Sequence, residues 1–86
     1  MKVKIDRNNR KIQFASGADI SASKILNRKG FKSVNPLNIE NYDDIAWDGI
    51  EFNRLFVKDG KLYRFNRWLI RYPYETIEIE EIGYIL

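Results

Sequence analysis

Two Asp-Gly pairs, Asp48-Gly49 and Asp59-Gly60, stand eleven positions apart in the middle of this chain. Asp-Gly between strand-like runs is the strongest short-range hairpin signal, because a type I′ turn takes φ > 0 at both central positions. A two-residue turn at the first pair sets Trp47 opposite Ile50 and Ile45 opposite Phe52. Those four side chains share one face, with Ala46 and Glu51 on the other. A two-residue turn at the second pair sets Phe56 opposite Tyr63 and Val57 opposite Leu62. The strand 50–58 then belongs to both hairpins, and 45–65 reads as a three-stranded meander.

The flanks add further elements. Residues 2–6 alternate, with Val3 and Ile5 as the apolar set, and residues 11–15 alternate around Ile12 and Phe14. Arg7-Asn8-Asn9-Arg10 between them is turn chemistry, since Asn tolerates left-handed backbone, so an opening hairpin is expected. A short helix follows. Ser21 suits its N-cap, Ile20 and Ile25 make a hydrophobic staple, and Ala22, Ile25, Leu26 and Lys29 form one stripe. Gly30 suits the position just past its end, with Phe31 folding back on Leu26 in a Schellman ending. Residues 31–37 read as extended or irregular around Asn35-Pro36, and Ile39, Tyr42 and Ile45 have the spacing of a helical turn. Trp68, Ile70 and Tyr72 alternate with Arg67, Leu69 and Arg71 in a further strand ended by Pro73. Ile77 and Ile79 alternate with Glu78 and Glu80, Glu80-Glu81 breaks the period as a bulge would, and this acid-rich strand can lie beside the Arg-rich one. The expected fold is α+β in a single domain: an antiparallel sheet of about five to seven short strands (β-hairpin, short helix, then β-meander), with the one helix packed on one face.

A chain of 86 residues has one modest core, here supplied by 44% hydrophobic and 14% aromatic residues, and with no Cys and no His it has neither disulfides nor a soft metal site to staple it. No run approaches transmembrane length and no signal-peptide segment follows residues 1–4, so the expectation is a cytoplasmic protein without a membrane partner. The net charge of +3 is laid out in blocks. Residues 1–34 carry nine bases against two acids, 35–52 five acids and no base, 53–74 six bases against one acid, and 75–86 four acids and no base. Such blocks either neutralise one another across adjacent strands or leave one basic and one acidic face open to a partner.

Without His or Cys the commonest acid–base groups and nucleophiles are absent, and the five glycines stand singly, so no phosphate-cradling loop is present. No catalytic residue, metal ligand or cofactor is assigned. Asp43, Asp44, Asp48 and Glu51 cluster, but not at the spacing of an EF-hand, and read as a solvated acidic edge. The constellation with most chemistry is Arg54, Arg64, Phe65, Arg67, Trp68, Arg71 and Tyr72. Arginine interleaved with aromatic rings is what single-stranded nucleic acid requires, guanidinium for phosphate and rings for bases. Alternation sets Arg67 and Arg71 on the face opposite Trp68 and Tyr72, however, and rings and cations on opposite faces do not make one stacking platform.

Four resemblances bear on function. Asp48 with Asp59-Gly60-Lys61 resembles the acidic-x-Lys core of a superfamily of metal-dependent nucleases, which implies Mg²⁺ held by paired acids near a lysine; both acids here are also turn residues. Ser21-Ala22 through Gly30-Phe31, with Val34 and Ala46-Trp47, is similar to the helix after the active-site loop of rhodanese domains, without their catalytic Cys. A basic α+β chain lacking His resembles ribosome-dependent toxin ribonucleases of the RelE type, which lead with helices where this chain is expected to lead with a hairpin. As a compact chain rich in Ile, Asn and Lys and bare of the usual catalytic groups, it looks like the small inhibitors that phages and mobile elements make against host defences, anti-CRISPR proteins included. The expected function is therefore non-enzymatic binding to a larger partner, a protein or ribonucleoprotein. The binding residues are Arg54, Lys58, Lys61, Arg64, Arg67 and Arg71. The alternatives are a single-stranded RNA- or DNA-binding module, which adds Lys2, Lys4, Arg10, Lys11 and Arg28, and a metal-dependent nuclease-like hydrolase.

Overall fold

The computed structural model describes residues 1–8, 10–15, 22–41, 55–71 and 74–86. Its elements are β1 (Val3–Ile5), β2 (Lys11–Ala15), α1 (Ala22–Arg28), β3 (Lys32–Val34), a single 3₁₀ turn (Pro36–Asn38), β4 (Leu55–Lys58), β5 (Lys61–Arg71) and β6 (Tyr74–Ile85). The strands form one six-stranded antiparallel sheet in the order β1-β6-β5-β4-β3, with β2 also on β6, curled into a half-barrel. The first Asp-Gly hairpin, its pairs around Trp47 and Ile50, the cap at Ser21 and the acidic cluster 43–51 lie outside the described residues.

The second Asp-Gly pair turns as its chemistry dictates. Asp59 has φ 51° and Gly60 φ 75°, and Phe56 faces Tyr63 while Val57 faces Leu62. Residues 61–71 then continue as one strand, where the sequence reads two. On its other side the described part of β4 pairs with β3, through Lys32–Val57, Ser33–Phe56 and Val34–Leu55. A single 3₁₀ turn follows β3, while the helical turn expected from Ile39, Tyr42 and Ile45 falls largely outside the described residues. Pro36 sets φ at the first position and the Asn35 side chain accepts a hydrogen bond from Leu37 N, which fixes 3₁₀ geometry over Pro36–Asn38.

The opening hairpin is not formed. β1 and β2 both pair with β6, β1 through Val3–Ile85 to Ile5–Gly83 and β2 through Lys11–Glu80 to Ala15–Thr76. They therefore lie end to end along one long partner. Asp6 N donates to Ile82 O and Glu81 N to Arg10 O, so the ladder to β6 is held on both sides of the interruption. The physical reason is a change of parity. Val3 and Ile5 are odd-numbered, Ile12 and Phe14 even-numbered, and they belong to two different cores. An interruption between them lets one edge feed both faces of the sheet. Asn8 Oδ1 accepts from Arg10 N, so the asparagine chemistry shapes this outward loop rather than a reversal.

The first core gathers Val3, Val34, Ile39, Leu55, Leu62 and Ile82. The second gathers Ile25 and Leu26 of α1 with Phe31, Phe56, Tyr63, Ile77 and Ile79, and Ile12, Phe14, Phe65 and Trp68 pack against it. Neighbouring positions of β4 and β5 go to opposite cores, as a period of two requires: Leu55 and Leu62 to the first, Phe56 and Tyr63 to the second. α1 ends as the sequence implies. Gly30 has φ 90°, its N–H donates to Asn27 O, and Phe31 N donates to Leu26 O at 2.9 Å, the two bonds of a Schellman motif. Residues 38–41 close the half-barrel against β1. The Met1 amine donates to Asn38 O, Glu40 N donates to Met1 O, and the Asn41 amide both accepts from Val3 N and donates to Val3 O. Among the described residues no helix is long and apolar enough to cross a membrane.

Candidate functional site: cations seated on a buried carboxylate row

β6 carries Glu78, Glu80 and Glu81, all buried, on an interior strand flanked by β5 on one side and by β1 and β2 on the other. Glu78 and Glu80 alternate with the core residues Ile77 and Ile79 and so point to the opposite face. The neighbouring strands bring donors to them. β5 sets Arg64 opposite Glu80 and Arg67 opposite Glu78, and β2 sets Gln13 opposite Glu78 from the other side. Residues three apart on a regular strand point to opposite faces, yet Arg64 and Arg67 reach the same row. Asn66 is the extra residue of a bulge between Phe65 and Arg67, and it restores the shared face. A second register shift near Leu62 and Tyr63 leaves Ile82 as the extra residue on β6, one position beyond the break in period at Glu80-Glu81.

The contacts saturate the carboxylates. Glu80 accepts from Arg64 Nε and Nη2, at 3.2 and 2.9 Å on one oxygen, and from Arg7 Nη2 at 3.2 Å on the other. Glu78 accepts from Gln13 Nε2 at 2.9 Å, from Arg67 Nε at 3.1 Å and from Asn66 Nδ2. Glu81 pairs with Lys61 Nζ at 3.1 Å and accepts from Asn8 Nδ2. No buried side-chain nitrogen or oxygen is left without a partner among the described residues.

The cover over this row is one side chain thick. The cation side chains are exposed by 22% at Arg64, 35% at Arg7, 45% at Lys61 and 58% at Arg67. The electrostatics follow from that geometry. The Gln13 hydrogen bond, with Asn66 and Arg67, holds the Glu78 carboxyl below the usual carboxylate range against the opposing effect of burial. At Glu80 burial is the largest single influence and pushes upward, but the bonds and charges of Arg64 and Arg7 together outweigh it and the net shift is downward. The Asn8 bond leads in lowering Glu81, with Lys61 adding to it. Tyr63, in the second core, is shifted up by its burial and by the Glu81 charge. The glutamates therefore stay ionised at neutral pH.

The residues named from sequence fall into three sets. Arg64 and Arg67 sit side by side on Glu80 and Glu78, while Lys61 pairs with Glu81 on the other face of the sheet, the one that Tyr63 shares. Lys58 stands apart, donating to Lys29 O at 2.7 Å with its ammonium 4.9 Å from the Phe31 ring centroid. Arg54 and the side chain of Arg71 lie outside the described residues. Of the additional nucleic-acid candidates, Lys2, Lys4, Arg10, Lys11 and Arg28 are exposed. Phe65 and Trp68 meet edge-on at 6.4 Å against the second core, on the face away from Arg64 and Arg67. Sequence reasoning missed Arg7, Asn8, Gln13 and Asn66 as members of the network. The usable signal was the run of acids alternating with Ile on a strand long enough to be central, since a central strand's polar face must find donors on both neighbours. Comparison with protein-family models, curated proteins and solved structures finds no match to this chain.

Proposed function

We propose that the chain is a non-enzymatic binding protein whose half-exposed cations on β5 engage a larger macromolecular partner, a protein or a ribonucleoprotein. The observation that carries this reading is the seating of Lys61, Arg64 and Arg67 on buried glutamates while each keeps solvent exposure. A guanidinium already pinned at one edge loses less side-chain freedom when its outer edge meets a carboxylate or phosphate, so the array is preorganised for an acidic surface. Arg67 uses only Nε internally among the described residues. The glutamates beneath have depressed pKa values and engaged oxygens, so they are poor proton donors at neutral pH, which favours binding over acid–base catalysis. Rings and cations on opposite faces weigh against a base-stacking platform. Occlusion of a partner's surface is the mode of action, and size and charge layout align the chain with small phage-type inhibitors such as anti-CRISPR proteins. The same reading takes α1 as packed on one face of the sheet, supported by Ile25 and Leu26 buried in the second core.

The test is capture from cells that naturally carry this chain, with protein and RNA identified together. The expected result is a protein retained after ribonuclease treatment and lost with the Arg67→Glu and Lys61→Glu variants. Capture of RNA alone, or capture indifferent to both substitutions, would contradict the proposal.

A further inference from the structure

Lys61, Arg64 and Arg67 on β5 are each matched by a glutamate of β6, and positive charge stands uncompensated elsewhere among the described residues. Lys32 and Lys58 have no carboxylate partner among the described residues, and they flank one groove. This groove, of ≈ 450 Å³, opens at the end of the half-barrel beside the β4–β5 turn. Val57 and Ile85 line it, both only partly buried although they pack against the first core, so the groove has an apolar floor. Lys32, Lys58 and Asp59 form its rim, and Gly60 leaves one side bare, since a Cβ there would meet nothing within 4 Å. Lys32 stands opposite Val57 in the β3–β4 ladder. Lys58 is held in place by Lys29 O and by the face of Phe31. An aliphatic floor beneath two fixed or flanking ammonium groups matches a ligand that is apolar at its centre and acidic at its edges.

We propose that this groove docks an acidic peptide segment of a partner protein, with one large aliphatic or aromatic side chain against Val57 and Ile85 and neighbouring carboxylates on Lys32 and Lys58. This rests on the reading of the chain as a protein-binding protein and names the chemistry of the contact. A nucleic acid fits the groove less well. Its floor is branched aliphatic and offers no ring for a base.

The experiment is an amide-shift titration of the ¹⁵N-labelled chain with three probes: a short Glu/Asp-rich peptide carrying one central leucine, the same peptide with serine in its place, and single-stranded poly(U). The expected result is leucine-peptide shifts centred on Lys32, Val57, Lys58, Gly60 and Ile85. The serine peptide binds about tenfold more weakly, as does the leucine peptide to Lys32→Glu, an exposed site, and to Val57→Thr, which keeps shape and β-branching. An unchanged amide spectrum at millimolar leucine peptide, or equal binding of the two peptides, overturns the groove assignment. Peptide shifts confined to Lys61, Arg64 and Arg67 also overturn it but leave the protein-binding reading standing. Poly(U) shifts without peptide shifts overturn both.

Discussion

Glu80 receives guanidinium contacts from two arginines that are far apart in sequence, Arg7 beside β1 and Arg64 in β5. Replacing it by glutamine removes the charge that both share and leaves one of its oxygens as an amide nitrogen facing donors. Because the arginines remain partly hydrated, water offsets part of the loss. Glu80→Gln is expected to lower unfolding free energy by about 1–3 kcal/mol, read as a lower urea midpoint, and an unchanged midpoint would deny the network a stabilising part. A second position has a backbone cause. A Cβ on Gly83 would stand 2.1 Å from the Lys4 carbonyl oxygen, an atom that cannot swing aside. Gly83→Ala should push β1 off β6 and cost about 1–3 kcal/mol or more, whereas Gly60→Ala, strained in φ but with open space around it, should cost only about 1 kcal/mol. Comparing the two variants by chemical denaturation checks the order. The role of Gly60 was legible from the Asp-Gly pair, while nothing around Gly83 in the sequence marks a close approach that only a distant strand creates.

Elements whose rules are local were readable: the β4–β5 turn with its register, and the Schellman ending of α1. Elements whose arrangement depends on a distant partner were not. Residues 7–10 have the chemistry of a reversal, but the long β6 offers both flanking segments a ladder, and two ladders outweigh one tight turn. The bulge at Asn66 is similarly silent, because Phe65, Asn66 and Arg67 would satisfy a regular strand. Its consequence is testable. Deleting Asn66 leaves Arg64, Phe65 and Arg67 in regular register with Glu80, Ile79 and Glu78, so both arginines are expected to keep their glutamates, with a loss of about 1 kcal/mol for the Asn66–Glu78 hydrogen bond, read by chemical denaturation. Loss of the Arg64–Glu80 contact in a structure of the variant would show that the bulge is required to seat it. At α1, Leu26→Ala should cost about 2–5 kcal/mol in the same assay, since Leu26 is fully buried in the second core.

Over the whole molecule, Lys61, Arg64 and Arg67 of the base-rich block pair with Glu81, Glu80 and Glu78 of the acid-rich block across β5 and β6, in line with one of the two arrangements the charge layout permits. That the acids would be buried and serve β2 and Arg7 as well was not legible, since it follows from β6 lying between β5 and the strands β1 and β2. The consequence is a definite pH dependence. All three glutamates have folded-state pKa values lowered from 4.5, so the stability they contribute is present above that value and is lost as pH falls through the lower folded values. The most direct test of this account is a carboxyl ¹³C NMR titration of Glu78, Glu80 and Glu81 in the folded chain, with amide protection of β6 followed in parallel. Three midpoints below 4.5 are expected, with β6 losing protection as the glutamates titrate. Ordinary midpoints with the sheet still protected would contradict it.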